Sequence, residues 1–271
     1  MLHRERYIER DGVRLRVRES GEGETLILIH GWALDLDMWS PQFAALSQHY
    51  HMVAFDRRGF GLSSGTPGAE HDLTDLRTLF AEMRIDRASL LGMSQGARAA
   101  LRFAQAHRDR VRCLVLDGPP RIGHMKEPRS SEIPLARYRN LVQKSGLHAF
   151  RREWEQHALM QLHTHDVRVR QLLRSIVERY PGRDLQPDYI DQSSTAIDWQ
   201  SLDVPTLVMN GELDSAERLA AGHEIAQLMI DARRVLVPEA GHLSNLDNPT
   251  FYNNAIAEFL RSDGLQYIKN A

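Results

Sequence analysis

The sequence predicts an α/β fold: a mostly parallel central sheet with helices on both faces and a helical segment inserted between two strands. Three observations predict it. Short, continuous apolar runs recur along the chain, and such runs mark strands buried on both faces. Stretches with apolar residues at helical spacing lie between them, and alternating strands and helices are most economically satisfied by a parallel sheet. One stretch, from about Arg121 to Gln200, breaks the alternation and contains no convincing strand. With 271 residues and 42% hydrophobic content, the chain can bury a sizeable core as one large domain with an insertion.

The elements follow in order. "RYIERDGVRLRVRES" alternates apolar and charged residues around Asp11-Gly12, a type I′ hairpin signal that puts Val13, Leu15 and Val17 on one face. The buried-strand runs are "TLILIH", "HMVAFD", "ASLLGM", "RCLVLDG", "PTLVMNG" and "RRVLVPEAG". Between them, "PQFAALSQHY" starts a helix with Pro41 in its first turn, and "DLTDLRTLFAEMRI" spaces Leu73, Leu76, Leu79, Phe80 and Met83 as a helix does. "GARAALRFAQAH", "AERLAAGHEIAQLM" and "FYNNAIAEFLRS" complete the set. The expected division is a core domain over 1–120 and 201–271, and a helical insertion over 121–200 built from "PLARYRNLVQKS", "AFRREWEQHALMQL" and "DVRVRQLLRSIVERY".

The totals exclude some classes. Charged residues are 26% of the chain and the formal net charge is −2, so neither nucleic acid nor an anionic membrane is an expected partner. Cys113 is the single cysteine, so no intrachain disulfide can form, and it sits in an apolar run where an inert core thiol is expected. The opening "MLHRERYIERDG" has no apolar h-region, and no apolar stretch approaches the roughly 18 residues of a membrane span. The expectation is a cytoplasmic protein.

The chemistry is carried by "LLGMSQGARAAL". Ser94 stands between Gly92 and Gly96 where a strand gives way to a helix, which is the pattern of a nucleophile elbow. The tight turn strains the serine backbone and leaves no room for flanking side chains, while the helix N-terminus favours negative charge near the hydroxyl. A nucleophilic serine needs a base, and the base needs an orienting acid. His242 follows a strand in a Gly-His loop, and Asp214 follows another strand. Asp117 ("LVLDG") and, more weakly, Glu212 are rivals for the acid. The expected oxyanion donors are the backbone N–H groups of Gln95, after the nucleophile, and Trp32, in the loop after "LILIHG". Gly31, Trp32, Met93, Trp154 and Leu243 are the candidate pocket residues, whereas core packing is expected of Met38 and Trp39. The insertion carries His124, His148, His157, His163 and His165, which read as solvated surface histidines; "HTH" at 163–165 aligns two imidazoles only if extended. No metal site and no cofactor are expected.

Taken together, "HGW" at 30–32, "DRRGFGLSS" at 56–64, "GMSQG" at 92–96, "NGELD" at 210–214 and "GHLSNLDNP" at 241–249 resemble the α/β-hydrolase superfamily. The likeness covers residues 6–120 and 201–262. "DRRG" and "GHLSN" look most like small esterases, enol-lactonases and cofactor-free perhydrolases. The chain departs from that pattern in a shorter "GAEHDLTDLRTLF" and in Gln95, where many relatives carry methionine or leucine. The resemblance implies that 121–200 is a cap over the active site. The expected function is hydrolysis of a small-molecule ester or lactone through an acyl-Ser94 intermediate. Hydrolysis of a carbon–carbon bond, perhydrolysis, and a non-catalytic small-molecule receptor that retains the pocket are the alternatives. Substrate identity and oligomeric state are left open.

Overall fold

A computed structural model of the chain describes residues 3–122, 132–186, 189 and 196–269, with 263–269 given by their backbone alone. Eight strands among the described residues form one sheet: β1 Arg4–Arg10, β2 Val13–Ser20, β3 Thr25–Ile29, β4 His51–Phe55, β5 Ala88–Met93, β6 Val111–Asp117, β7 Thr206–Gly211 and β8 Ala232–Val237. Their order across the sheet is β1-β2-β4-β3-β5-β6-β7-β8. β1 and β2 pair antiparallel, as do β2 and β4, and every later pairing is parallel. At the first hairpin, Asp11 and Gly12 have φ of 51° and 76°, the left-handed pair that a type I′ turn requires.

The helices are α1 Ser40–Leu46, α2 Ala69–Glu82, α3 Gln95–Ala106, α4 Leu135–Trp154, α5 Val167–Arg179, α6 Ala216–Leu228, the short α7 Ser244–Asp247, and α8 Pro249–Lys269. Side chains of the central strands alternate between two apolar layers. Leu26, Leu28, Leu91, Val115 and Met209 share one layer with Phe43 of α1 and Tyr252 and Ile256 of α8. Ile27, Ile29, Leu90, Leu116 and Val208 share the other with Leu76 and Phe80 of α2, Ala100 of α3 and Ile225 of α6. At about 1.5–3 kcal/mol for each fully buried large aliphatic side chain, these layers are the main drive for the fold. Cys113 is buried in the first layer, with its thiol 3.1 Å from the Ser89 hydroxyl.

The local pattern needs two corrections. "RRVLVPEAG" is not a strand buried on both faces. β8 is the last strand of the sheet, and Arg233, Arg234 and Leu236 are exposed. "AFRREWEQHALMQL" is not one helix. α4 stops at Trp154, a 3-10 turn spans Ala158–Met160, and residues 161–166 are irregular up to α5. Within α4 itself, Gly146 takes φ 78° and breaks the helix. His163 and His165 are both exposed on the irregular stretch, and His124 lies outside the described residues. No helix among the described residues is long and apolar enough to cross a membrane.

Candidate active site

Ser94 occupies the junction of β5 and α3 with φ 53° and ψ −115°. A non-glycine residue at positive φ is strained, and such strain persists only where its surroundings hold it. Here the Ser94 N–H donates to the Asp117 carbonyl at 2.7 Å. The flanking glycines are steric necessities. A Cβ on Gly92 would lie 2.3 Å from the Gly96 carbonyl oxygen, and one on Gly96 would lie 2.1 Å from that of Ile29.

Asp214 and His242 are brought together from loops that follow β7 and β8. His242 Nδ1 lies 3.1 Å from both carboxylate oxygens of Asp214. The Ser215 N–H donates to the same carboxylate at 2.8 Å. Burial works to raise the pKa of Asp214. The charge and hydrogen bond of His242, the Ser215 N–H and the charge of Arg218 outweigh it, so the carboxyl is held below its usual value. Gly118 closes over this pair with φ 51°, and a Cβ there would lie 2.8 Å from His242 Cε1.

The hydroxyl of Ser94 is not hydrogen-bonded to His242. Among the described residues its partner is Arg218, whose Nη1 lies 3.4 Å away and also reaches the Gly118 carbonyl at 3.3 Å. Arg218 is buried, and its Nε donates to Glu132 at 2.7 Å. Glu132 also accepts from the Ser215 hydroxyl.

Asp117, the rival acid, does not meet the imidazole. Its carboxylate accepts from Ser244 Oγ at 2.9 Å and from the Tyr252 hydroxyl at 3.2 Å. Complete burial, reinforced by the nearby Asp214 charge and opposed by those two hydrogen bonds, pushes its pKa up to about 8. Among the described residues Glu212 accepts only a long bond, 3.4 Å, from the Glu239 N–H.

Gly31 and Trp32 follow β3 beside the elbow, and a Cβ on Gly31 would sit 3.3 Å from Ser94 Cβ. His30 pins the start of this loop: its Nε2 accepts the Arg57 N–H at 2.9 Å, and its Nδ1 is 2.8 Å from the Gly31 carbonyl. That geometry assigns the proton to Nδ1. Burial first, then the Arg57 charge, lowers the His30 pKa to about 3, so it stays neutral. The Arg57 guanidinium pairs with Asp72 at 2.9 and 2.6 Å and donates to the Gln95 side chain at 2.7 Å, which ties the loop after β4 to the first residue of α3. The Trp32 indole N–H donates to Asp184, which also accepts from the Tyr180 hydroxyl. Tyr138, Phe150, Trp154 and Tyr180 surround the indole with ring centroids 4.7–6.3 Å away.

A cavity of about 270 Å³ opens onto Ser94, Gln95 and Trp32. Residues from the 121–200 stretch, among them Arg121, Glu132, Ile133, Arg139 and Asp184, form much of its wall. Of the pocket candidates, Trp32 lines this cavity. Gly31, Met93, Trp154 and Leu243 are buried and are not among its lining residues. No cluster of three or more metal-ligating side chains occurs among the described residues.

Three groups escaped the sequence pattern. Arg218 stands four residues after Asp214 and Arg98 four after Ser94, a spacing that could have flagged both. Asp184 and Glu132 reach the site from far along the chain and left no local signal. The Arg57–Asp72–Gln95 link was likewise invisible within "DRRG".

The arrangement places a strained serine beside a cavity, with an imidazole held by an ionised carboxylate on the neighbouring loops. Chemically, that set suits nucleophilic attack on an acyl carbon. The comparisons agree at the level of family. The chain is 26% identical, over 93% of its length and 96% of the relative's, to a Bacillus subtilis protein assigned as a 2-succinyl-6-hydroxy-2,4-cyclohexadiene-1-carboxylate synthase. It is 25% identical to the 2-hydroxy-6-oxo-6-(2'-aminophenyl)hexa-2,4-dienoic acid hydrolase of Metapseudomonas resinovorans, covering 94% of this chain and 90% of that one. The solved enol-lactonase of Burkholderia xenovorans LB400 superposes with a TM-score of 0.80 at 27% identity, covering 94% of this chain and 100% of the enol-lactonase. The family model described as the alpha/beta hydrolase fold matches residues 24–249, and with the sheet order and the elbow in place the chain belongs to that hydrolase family.

Proposed function

We propose that this chain hydrolyses a carboxylic ester or lactone, with Ser94 as nucleophile, His242 as base and Asp214 as orienting acid. The observation that carries the reading is the pairing of His242 Nδ1 with Asp214 beside a serine held at φ 53°. Similarity to an enol-lactonase supports the choice of ester-type chemistry. In the proposed reaction, Ser94 Oγ attacks the acyl carbon as its proton passes to His242 Nε2. The backbone N–H groups of Trp32 and Gln95 bind the oxyanion. Collapse expels the alkoxide, which takes the proton from His242; in a lactone it remains tethered to the acyl group. Water, deprotonated by His242, then attacks the acyl-Ser94 ester and releases the acid. For this to begin, the Ser94 hydroxyl turns from Arg218 towards the imidazole.

Residues 121–200 act in this reading as a cap. The aromatic cage around Trp32 and the contribution of Glu132, Arg139 and Asp184 to the cavity wall support it. A cap so placed excludes water and selects substrates by shape.

A second reading is hydrolysis of a carbon–carbon bond in a vinylogous diketone by the same residues. The charged wall of the cavity favours it, as does the similarity to a dienoic acid hydrolase. One experiment separates the two: initial rates over a panel of short-chain esters, lactones and a vinylogous diketone, with wild type and Ser94→Ala. Turnover of esters or lactones that Ser94→Ala loses is the expected result. Turnover of the diketone alone would overturn the first reading in favour of the second, and turnover by Ser94→Ala would overturn both.

A further inference from the structure

We propose that the Ser94 cavity recognises a substrate bearing a carboxylate, held by Arg139 and Arg218. This rests on the reading of that cavity as the substrate site. Four arginines, Arg98, Arg121, Arg139 and Arg218, line a single cavity of about 270 Å³ together with Ser94. Arginine presents a planar fork that matches a carboxylate in two-point hydrogen bonding.

The acids of the same wall do not cancel these cations one for one. Glu132 takes the Nε edge of Arg218 and leaves Nη1 turned towards Ser94. Asp184 is occupied by two neutral donors, Trp32 and Tyr180, and burial raises its pKa. Glu217 lines the cavity as well. Arg121 bridges to Glu224 at 2.7 Å, outside the lining.

Arg139 carries the inference furthest. Its guanidinium carbon lies 5.5 Å over the ring of Tyr189, and its Nε is buried without a hydrogen-bond partner among the described residues. Nor does any carboxylate pair with it there. A buried donor left unmade is costly, and the Arg139 side chain also lines the cavity, where its guanidinium can meet an anion. Arg218 then sets where the anion lies relative to the chemistry. Because Nη1 is within 3.4 Å of the Ser94 hydroxyl, a carboxylate bound there sits a short spacer away from the carbonyl under attack. Half-esters of short dicarboxylic acids, and lactones with a carboxylate side chain, fit that description.

The test compares mono-p-nitrophenyl glutarate with the neutral p-nitrophenyl butyrate. Wild type should prefer the anionic ester by at least about tenfold in kcat/KM, since a site built for a polar group rejects the analogue that lacks it. The preference should shrink as salt is raised. Arg139→Gln should cut the preference by about tenfold through KM, and Arg139→Lys should restore part of it. A purely structural Arg139 would lower both substrates alike, which would overturn the assignment. Calorimetric binding of glutarate to Ser94→Ala is the second arm, with inorganic phosphate and dimethyl glutarate alongside. Glutarate should bind and dimethyl glutarate should not. Tighter binding of phosphate would overturn the carboxylate in favour of a phosphoryl group. Equal rates on the two esters with no glutarate binding would overturn the anion site while leaving the esterase reading intact. Arg139-dependent glutarate binding without turnover of any ester would keep the anion site and remove the esterase reading.

Discussion

Nδ1 of His242 lies equidistant, 3.1 Å, from the two carboxylate oxygens of Asp214, so one imidazole edge is held by a full anionic group. That anion fixes the ring tautomer with the proton on Nδ1. Asp214→Asn keeps the shape but removes the charge. Turnover is expected to fall by about 10³–10⁴-fold with the fold intact. Single-turnover rates and a circular dichroism spectrum check both halves. Asp117→Asn, by contrast, is expected to retain most activity, and a comparable loss there would move the acid role to Asp117.

The same two aspartates should shape stability against pH in opposite senses. Asp214 is held below its ordinary pKa, so it contributes stability above the unfolded-state value and loses it as acid protonates the folded form. Asp117 is raised to about 8, so the folded state binds more protons than the unfolded state between roughly pH 4 and 8. Stability from this group therefore falls as pH rises across that window. Asp117→Asn has no proton to lose and should flatten the decline. Thermal unfolding midpoints from pH 5 to 9, wild type against variant, measure it; parallel curves would refute the expectation.

Gly118→Ala places a methyl group 2.8 Å from His242 Cε1 at a backbone φ of 51°. Something must move, and the imidazole is the nearest side chain. A displaced imidazole loses its Asp214 pairing, so kcat should drop by about 10²-fold or more, in keeping with the penalty of a misplacement near 1 Å. A crystal structure of the variant should show the ring shifted. Normal turnover with an unshifted ring would contradict the geometry.

Trp32→Phe deletes the indole N–H that Asp184 accepts, while keeping an aromatic body in the cage. Asp184 stays buried with Tyr180 as its remaining side-chain donor. The loss of one hydrogen bond to a buried carboxyl is expected to cost about 1–3 kcal/mol. Urea unfolding reads that directly, and a change under about 0.3 kcal/mol would mean the bond is not formed in solution.

What the sequence alone determined is whatever depends on neighbours along the chain. Gly-x-Ser-x-Gly put Ser94 on a strand–helix turn because the turn itself excludes a side chain at Gly92, whose Cβ would meet the Gly96 carbonyl. Asp11-Gly12 marked a hairpin for the same local reason. Continuous apolarity marked β3 to β7 as buried on both sides, and it failed at β8 because edge position is a property of the assembled sheet. The sequence favoured Asp214 over Asp117, but it left Asp117 as a rival because both stand at or just after the end of an apolar strand. β6 and β7 are neighbours in the sheet, and only the path of the loop carrying His242 decides which carboxylate the ring meets. Tertiary structure alone turned Arg218 onto the serine hydroxyl, brought Asp184 to the Trp32 indole across more than half the chain, and buried Gly31, Met93, Trp154 and Leu243 away from the cavity lining. Those outcomes depend on distant segments packing in three dimensions, and burial and charge partners chosen across such distances leave no periodic mark in the amino-acid order.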